Sequence, residues 1–365
     1  MKKGIKGKNI YIIATGCNGI KRIKELIAPL EKDGANCFLI PTPAALQIMC
    51  DNKEYYADCN VCLNSNSLSH QKIPEEDMVI VAPCSFNTTN KIAFGIADNY
   101  ATSLLHTAIG KGKPIILALS MNIFFWKNFV LQESLKKLEN CKNILTVWPE
   151  FVYEKGIFNK LTMVPFGKII DCVYHIFKIV KYQQIRVKEY NNFDSIIKEH
   201  SGDFINCGKE LIKNNFIQGA AGCIAKRIKE GILVSTAGAC IGEMTTENIS
   251  LILQEKDNTI MWYGHQSPSS ESLLISYILS KTKEEFLIHS HCREITYAPQ
   301  FDEFRTKEYI ETGNINTIGQ VFNILNSKKG ICILKLHGQL VIADSFLSRI
   351  EKLKCLKNEI TLSKK

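Results

Sequence analysis

The sequence has 365 residues, which is about two domains at roughly 150 residues each. Hydrophobic residues make up 45% of it and charged residues 22%, a composition that excludes a disordered or fibrous chain. No apolar run is long enough to span a bilayer, and the basic start MKKGIKGKNI lacks the apolar core of a signal peptide. We therefore expect a cytoplasmic protein with no membrane partner, in which the 14 cysteines are reduced thiols.

The formal net charge of +9 favours anionic ligands. The basic residues are scattered singly, without an arginine-rich block or an RNA-binding motif. Small molecules that carry phosphate are therefore favoured as partners, and nucleic acid is not expected.

The first half of the chain alternates strand and helix patterns. Uniformly apolar runs predict strands at residues 9–14, 37–40, 78–82 and 115–119, and a helical pattern covers 20–32 between the first two. Apolar strands separated by helices indicate a doubly wound parallel sheet, an α/β fold covered on both faces. In such sheets ligands bind beyond the carboxyl ends of the strands.

The pattern changes after about residue 185. Helices are predicted at 208–216 and 272–279, and strands at 232–235, 286–290 and 331–336. We expect a first domain over 1–185, a linker over 186–200, and a second α/β domain over 201–365.

Three loops at predicted strand ends, residues 15–19, 83–90 and 120–122, carry the small polar residues and glycines that suit phosphate. The segment APCSFNTTNKIA at 82–93, followed by GIADN at 95–99 and by Met121-Asn122, resembles the homo-oligomeric flavin-containing Cys decarboxylases. This flavoprotein family includes phosphopantothenoylcysteine decarboxylase, and the resemblance extends from about residue 9 to 180.

The resemblance implies an FMN cofactor and a homo-oligomer. The implied FMN contacts are Gly16, Cys17, Asn18, Thr42, Ser85, Phe86, Asn87 and Thr88. Asn122 matches the asparagine that grips the substrate carboxylate. His70 lies one residue from the expected place of the catalytic histidine, and a solvated loop histidine is the alternative.

Two departures from the flavoprotein pattern leave the flavin reaction open. Residues 151–159 hold no cysteine where the decarboxylases carry a cysteine-containing clamp, and Leu119-Ser120 replaces a proline-alanine pair. A flavin reductase, as in the dihydropterin-reducing relatives, is therefore an alternative to the decarboxylase hypothesis.

Three histidines in the second half form a candidate metal site. His289 and His291 end an apolar strand pattern, where residues two apart point to the same side, and His337 follows another apolar run. Three imidazoles suit an open catalytic site for Zn²⁺ or another divalent metal. Glu271, in the first turn of a predicted helix, is a candidate general acid/base. Solvated or core histidines are the alternative for an isolated pair.

The order of these motifs resembles the class II aldolase/adducin family. The matching segments are Ser267–Glu271, His289-x-His291, and His337-Gly338 with Asp344-Ser345 after it. Residues 219–227 and 235–238 resemble the two phosphate turns of the family, and the coverage is about 206 to 356.

By this resemblance the three histidines bind zinc, Glu271 is the acid/base or a metal-shielding residue, and substrate phosphate contacts Thr236, Gly238, Ser269 and Ser270. Cys223 and Ala225 replace the asparagine and serine of the phosphate loop, which leaves the substrate open. The tyrosine that assists C–C cleavage in the family is not assigned, and Tyr297 and Tyr309 are both in range.

The sequence thus predicts a bifunctional protein, an FMN flavoprotein joined to a zinc-dependent aldolase-type lyase. The second site would cleave, epimerise or dehydrate a small carbonyl substrate of the sugar-phosphate type. The alternatives are a flavin reductase and a flavin-binding regulatory protein with an adducin-like scaffold domain.

Overall fold

The computed structural model describes residues 4–50, 56–63, 73–154, 157–177, 182–217, 222–310 and 318–362. The chain forms two compact units, Met1–Ile179 and Val180–Lys365. This division precedes the linker that the sequence analysis placed at 186–200. Part of that range is helical, because a 21-residue helix begins at Phe193.

The first unit contains a five-stranded parallel sheet. Its strands are β1 (Asn9–Ala14), β2 (Asn36–Pro41), β3 (Met78–Cys84), β4 (Ile115–Leu119) and β5 (Ile144–Val147). The order is β2-β1-β3-β4-β5, so the predicted doubly wound parallel sheet is confirmed. From β1 the chain first adds β2 on one side and then β3 on the other. The point of reversal, between β1 and β3, is where such sheets bind ligands.

Helices cover the two faces of this sheet, because its strands are apolar on both sides. They are α1 (Lys24–Lys32), α2 (Pro43–Cys50), α3 (Phe86–Ala93), α4 (Tyr100–Gly110), α5 (Ile123–Trp126), α6 (Phe129–Glu139) and α7 (Phe166–Ile176). The helix predicted at 20–32 is divided, since a 3₁₀ helix over Asn18–Arg22 precedes α1. An antiparallel hairpin of β6 (Glu150–Glu154) and β7 (Ile157–Thr162) includes the cysteine-free segment.

The second unit contains an eight-stranded sheet in the order β14-β15-β13-β9-β10-β11-β12-β8. Its strands are β8 (Gln183–Arg186), β9 (Cys223–Ile228), β10 (Gly231–Ser235), β11 (Ile249–Lys256), β12 (Thr259–Tyr263), β13 (Phe286–Ser290), β14 (Ile331–Leu334) and β15 (Gly338–Ala343). All neighbours pair antiparallel except β8, which pairs parallel with β12.

Two apolar cores lie on opposite faces of this sheet. One face packs against α8 (Phe193–Lys213) and α12 (Phe346–Leu362), and the other packs against α9 (Ser272–Lys281) and α11 (Ile318–Ser327). A short helix, α10 (Arg293–Thr296), follows β13 closely. Within the described ranges, no helix combines the length and the apolar character needed to cross a membrane.

Candidate functional site

The three candidate metal ligands lie at the end of one strand and in one tight turn. β13 and β15 pair with His289 opposite Leu340 and Ser290 opposite Gln339. His289 lies inside β13 and His291 follows its end, while His337 lies in the turn between β14 and β15. The sequence analysis extended β14 to residue 336, whereas the strand ends at Leu334 and Leu336 takes a left-handed φ of 58°.

The turn depends on a glycine. A Cβ atom on Gly338 would lie 2.2 Å from the carbonyl oxygen of Ser290 and 3.2 Å from Cδ2 of His291. No side chain fits at that distance, so only glycine allows this close approach. The predicted His-Gly step is therefore a packing requirement that sets His337 beside His291.

The structure brings the three predicted imidazoles together. One ring nitrogen from each of His289, His291 and His337 lies within 4.8 Å of the other two. The ring centroids of His289 and His291 are 4.6 Å apart, and those of His289 and His337 are 4.9 Å apart. His289 and His337 are buried and His291 is half-buried. This set of nitrogen donors fits Zn²⁺, which three protein imidazoles bind in open catalytic sites.

A backbone carbonyl determines the tautomer of His289. Its Nδ1 lies 3.0 Å from the carbonyl oxygen of Gln339, which can only accept, so Nδ1 donates. In the neutral ring the lone pair is then on Nε2, which lies 2.8 Å from Nε2 of His291. This is how a second group orients a histidine toward a metal. Nδ1 of His337 is buried and has no hydrogen-bond partner among the described residues, so that ring has a nitrogen available for a ligand.

The predicted acid/base lies beside this cluster. Glu271 immediately precedes α9, and its Oε1 is 3.3 Å from Nε2 of His337. Both side chains are buried, at 8% and 5% exposed, so their interaction is little screened by water. The helix N-terminus favours a carboxylate at this position.

The predicted phosphate contacts lie in two adjacent segments. The backbone N–H of Ser269 donates to the carbonyl of Ser235 at 3.1 Å, and Thr236 bridges to Pro268. Ser269 Oγ in turn accepts from the N–H of Glu271 at 3.3 Å. The hydroxyl of Thr236 is buried without a hydrogen-bond partner in the part of the chain that is described. Gly238 has a left-handed φ of 75°, as a turn glycine should.

Two further groups adjoin Glu271. Cys223, at the start of β9 and opposite His289, is fully buried, and burial raises the pKa of its thiol. The hydroxyl of Tyr182 donates to the carbonyl of Ser269 at 3.1 Å, and burial likewise raises the pKa of Tyr182. Both groups therefore stay neutral beside the carboxylate. Of the two candidate tyrosines, Tyr309 has its ring centroid 6.2 Å from that of His337.

In the first unit, the three predicted loops meet at the carboxyl edge of the parallel sheet. Ser85 N–H donates to Thr15 Oγ1 at 3.0 Å, and that hydroxyl donates to the carbonyl of Pro83 at 2.7 Å. The thiol of Cys17 donates to the carbonyl of Ser120 at 3.4 Å. Burial raises the pKa of the Cys17 thiol, so it remains protonated. The loops that follow β1, β3 and β4 thus form one continuous surface.

Several predicted FMN and substrate residues are helix caps there. Ser85 Oγ accepts from Thr88 N–H at 3.3 Å and caps α3, and Asn122 Oδ1 accepts from Phe125 N–H at 2.9 Å and caps α5. Thr42 Oγ1 accepts from Ala45 N–H at 3.3 Å near the start of α2. Free backbone N–H groups at helix starts attract phosphate.

The remaining predicted residues of this surface differ in exposure. Phe86 stacks on Phe125, with ring centroids 4.6 Å apart. Gly16, Asn18, Asn87 and Asn122 are exposed. His70 lies outside the described residues.

Sequence reasoning missed Tyr182 and Gln339, and it placed Thr15 in a candidate loop without assigning it a role. Thr15 joins two loops and Tyr182 holds the Ser269 backbone, while Gln339 contacts the histidine strand. The only sequence signal for Gln339 is one polar residue in the apolar strand GQLVIA.

This fold and these sites define a two-part α/β protein, a parallel-sheet unit with a phosphate-type loop surface and a second unit with a histidine cluster. A family model for "Flavoprotein" matches residues 1–178, and one for "Class II Aldolase and Adducin N-terminal domain" matches residues 202–358.

Curated relatives match the first unit. A putative phosphopantothenoylcysteine decarboxylase of Dictyostelium discoideum is 31% identical over 150 residues, which cover 38% of this chain and 74% of the relative. Epidermin decarboxylase of Staphylococcus epidermidis is 31% identical over 140 residues, covering 36% of this chain and 72% of the relative. Among solved structures, l-fuculose-1-phosphate aldolase from Thermus thermophilus aligns at 16% identity and a TM-score of 0.36, covering 44% of this chain and 90% of that one.

The chain belongs to the flavoprotein family that contains phosphopantothenoylcysteine decarboxylase-like proteins, and its second unit is a class II aldolase/adducin N-terminal domain. The fusion of these two domains, predicted from the order of the motifs, is confirmed.

Proposed function

We propose that the chain is a bifunctional enzyme, an FMN flavoprotein in its first unit and a zinc-dependent aldolase-type lyase in its second. The observation that carries the second activity is the cluster of His289, His291 and His337 with a buried carboxylate, that of Glu271, 3.3 Å from one ring. The substrate is a small carbonyl compound of the sugar-phosphate type. Epimerisation and dehydration are the related reactions that the same groups support.

The residues of the second unit have separate roles in the proposed reaction. Zinc held by the three imidazoles would supply Lewis-acid polarisation of a substrate carbonyl. Glu271 holds or transfers a proton at the adjacent carbon, and its burial keeps competing water away. The hydroxyl of Thr236 and the turn at Gly238 would hold the phosphate with Ser269 and Ser270. Tyr309, beside His337, is the proposed proton donor to the leaving group.

The first unit has the features of an FMN site. Hydroxyls and capped helix starts converge at the switch point of the sheet, where Ser85, Thr88 and the backbone of residues 16–18 would hold the phosphate and ring. FMN would supply two-electron redox chemistry there. Asn122 is exposed at the same edge and would bind a substrate carboxylate. His70 stays a prediction, as does a homo-oligomer.

The test of the proposed lyase is turnover of a panel of ketose phosphates by purified protein and by Glu271→Gln. The amide cannot accept the proton, so we expect turnover to fall at least about 100-fold while zinc content stays at one per chain. His291→Ala should instead lose the metal. Wild-type turnover in Glu271→Gln, or a wild-type protein without zinc after reconstitution, would contradict the proposal.

A second candidate for the first unit is a flavin reductase. It is favoured by the β6–β7 hairpin, because residues 150–162 hold no cysteine to close over a thiol substrate. Rapid reduction of the bound flavin by NAD(P)H, without CO₂ release from acyl-cysteine substrates, would favour the reductase. CO₂ release would favour the decarboxylase.

A further inference from the structure

Gln339 is a polar residue inside the strand β15, every residue of which is buried. Its side chain is fully buried, at 0% exposed. A buried amide costs free energy unless each of its polar atoms is hydrogen-bonded. The hydrogen-bond partners of this amide therefore explain how a glutamine can be buried in this strand.

The amide makes four hydrogen bonds, and all four reach the last residue of β13 or the segment that follows it. Its Oε1 accepts from Ser290 Oγ at 2.8 Å and from the N–H of Cys292 at 3.0 Å. Its Nε2 donates to the carbonyl of Cys292 at 3.0 Å and to Thr296 Oγ1 at 2.6 Å. The backbone groups of Cys292 determine which end of the amide is oxygen, because the N–H can only donate and the carbonyl can only accept.

These contacts surround one candidate ligand on both sides. Ser290 and Cys292 are the chain neighbours of His291, so the amide holds the side chain of the residue before that imidazole and the backbone of the residue after it. The backbone carbonyl of Gln339 also accepts from Nδ1 of His289 at 3.0 Å. One residue thus fixes the ring orientation of the first histidine and the backbone that carries the second.

We propose that Gln339 is a positioning residue for the histidine cluster, acting through the Ser290 hydroxyl and the Cys292 backbone and not as a ligand itself. This inference rests on the proposed metal-dependent function. It assigns the role to hydrogen bonds that a residue such as methionine, of similar length, cannot form.

The test is Gln339→Met in the full-length protein, with Co²⁺ and Zn²⁺ affinities measured by competition with a chelator. Loss of such supporting groups typically weakens metal binding about 10- to 100-fold, and we expect a decrease in that range with a shifted visible spectrum of bound Co²⁺. A second readout needs no metal. In the metal-free protein, the backbone N–H of Cys292, which loses its acceptor Oε1, should exchange with solvent faster in the variant than in the wild type, as seen by ¹⁵N NMR.

A milder variant covers the case in which Gln339→Met does not fold. Thr296→Val leaves the ligands unchanged and removes one acceptor of the amide together with the hydroxyl's own 2.9 Å bond to the carbonyl of Cys292, and we expect a smaller loss of metal affinity in the same direction. The matched control is Thr282→Val at the opposite end of α9 from Glu271, where the hydroxyl has no hydrogen-bond partner within the described ranges. Its metal affinity should be that of the wild type.

The outcomes separate this inference from the proposed function. Wild-type affinity and unchanged proton exchange in the folded Gln339 and Thr296 variants would overturn the positioning role. A wild-type protein that binds no metal would overturn the metal-dependent function, while faster exchange in Gln339→Met would still support the positioning role.

Discussion

At the scale of single residues, the second site depends on close approaches that leave no room for substitution. Gly338 allows the β14–β15 turn to touch the end of β13, and a side chain there would overlap the carbonyl of Ser290. Glu271 and His337 meet in a buried pair. The chemistry of the site therefore rests on the backbone path as much as on the ligands.

We expect Gly338→Ala to weaken metal binding and to destabilise the second unit by about 1–3 kcal/mol. The reason is that the added methyl group forces the start of β15 away from the end of β13. Metal content and urea unfolding are the measurements. The control is Gly319→Ala in α11, where a Cβ meets nothing within 4 Å. An alanine at 338 with the stability and metal content of the wild type would contradict this account of the turn.

At the scale of elements, helix starts organise the flavoprotein unit. Ser85 both caps α3 and joins the loop after β1 through its backbone N–H. Asn99 caps α4 through a reciprocal pair of hydrogen bonds with Thr102 and lies outside the three loops. Comparing variants of these two residues therefore separates the stability lost with a helix cap from the FMN affinity lost with a cofactor contact.

Ser85→Ala and Asn99→Ala should each cost about 1 kcal/mol of stability, since each removes a cap. Only Ser85→Ala should also weaken FMN binding, which fluorescence titration of the apoprotein would measure. Equal effects of the two variants on FMN affinity would show that Ser85 acts only as a cap.

The strands also show which parts of the fold could be predicted from the sequence. The apolar strands β1, β3, β4 and β13 were predicted closely, because burial on both faces leaves a uniform pattern. β15 was missed, since the predicted strand ended at residue 336 and no strand was predicted after the short turn that separates β14 from β15. The imidazoles and Glu271 could be named because their chemistry is in the side chain. Gln339 could not, because its role arises from the pairing of β15 with β13.

At the scale of the whole molecule, buried thiols are spread through both units. Burial raises the pKa of Cys84 in β3, and those of Cys207 in α8 and Cys332 in β14, to about 12 from an ordinary value of 9.0. Between pH 9 and 12 the unfolded chain releases these protons and the folded chain keeps them. The unfolded state then binds fewer protons, so the free energy of unfolding falls as pH rises through this window.

We expect the second unit to lose stability steeply above pH 9 under reducing conditions, each buried thiol contributing up to about 1.4 kcal/mol per pH unit. Urea unfolding at a series of pH values measures the slope. Cys332→Ala should reduce this slope by up to about 1.4 kcal/mol per pH unit, which is the contribution of one proton. Cys355→Ala, at an exposed position, should leave the slope unchanged. Equal slopes for the two variants would contradict the role of burial.

The turn that holds His337 has a consequence for synthesis on the ribosome. The chain emerges from its amino end, so Glu271, His289 and His291 are all made before β14 and β15 exist to complete the cluster. Until then the amide of Gln339 is not there to hold the segment after β13, and the cluster lacks the imidazole of His337. We therefore expect a nascent chain to acquire the proposed metal affinity only when the last two strands of the sheet pair.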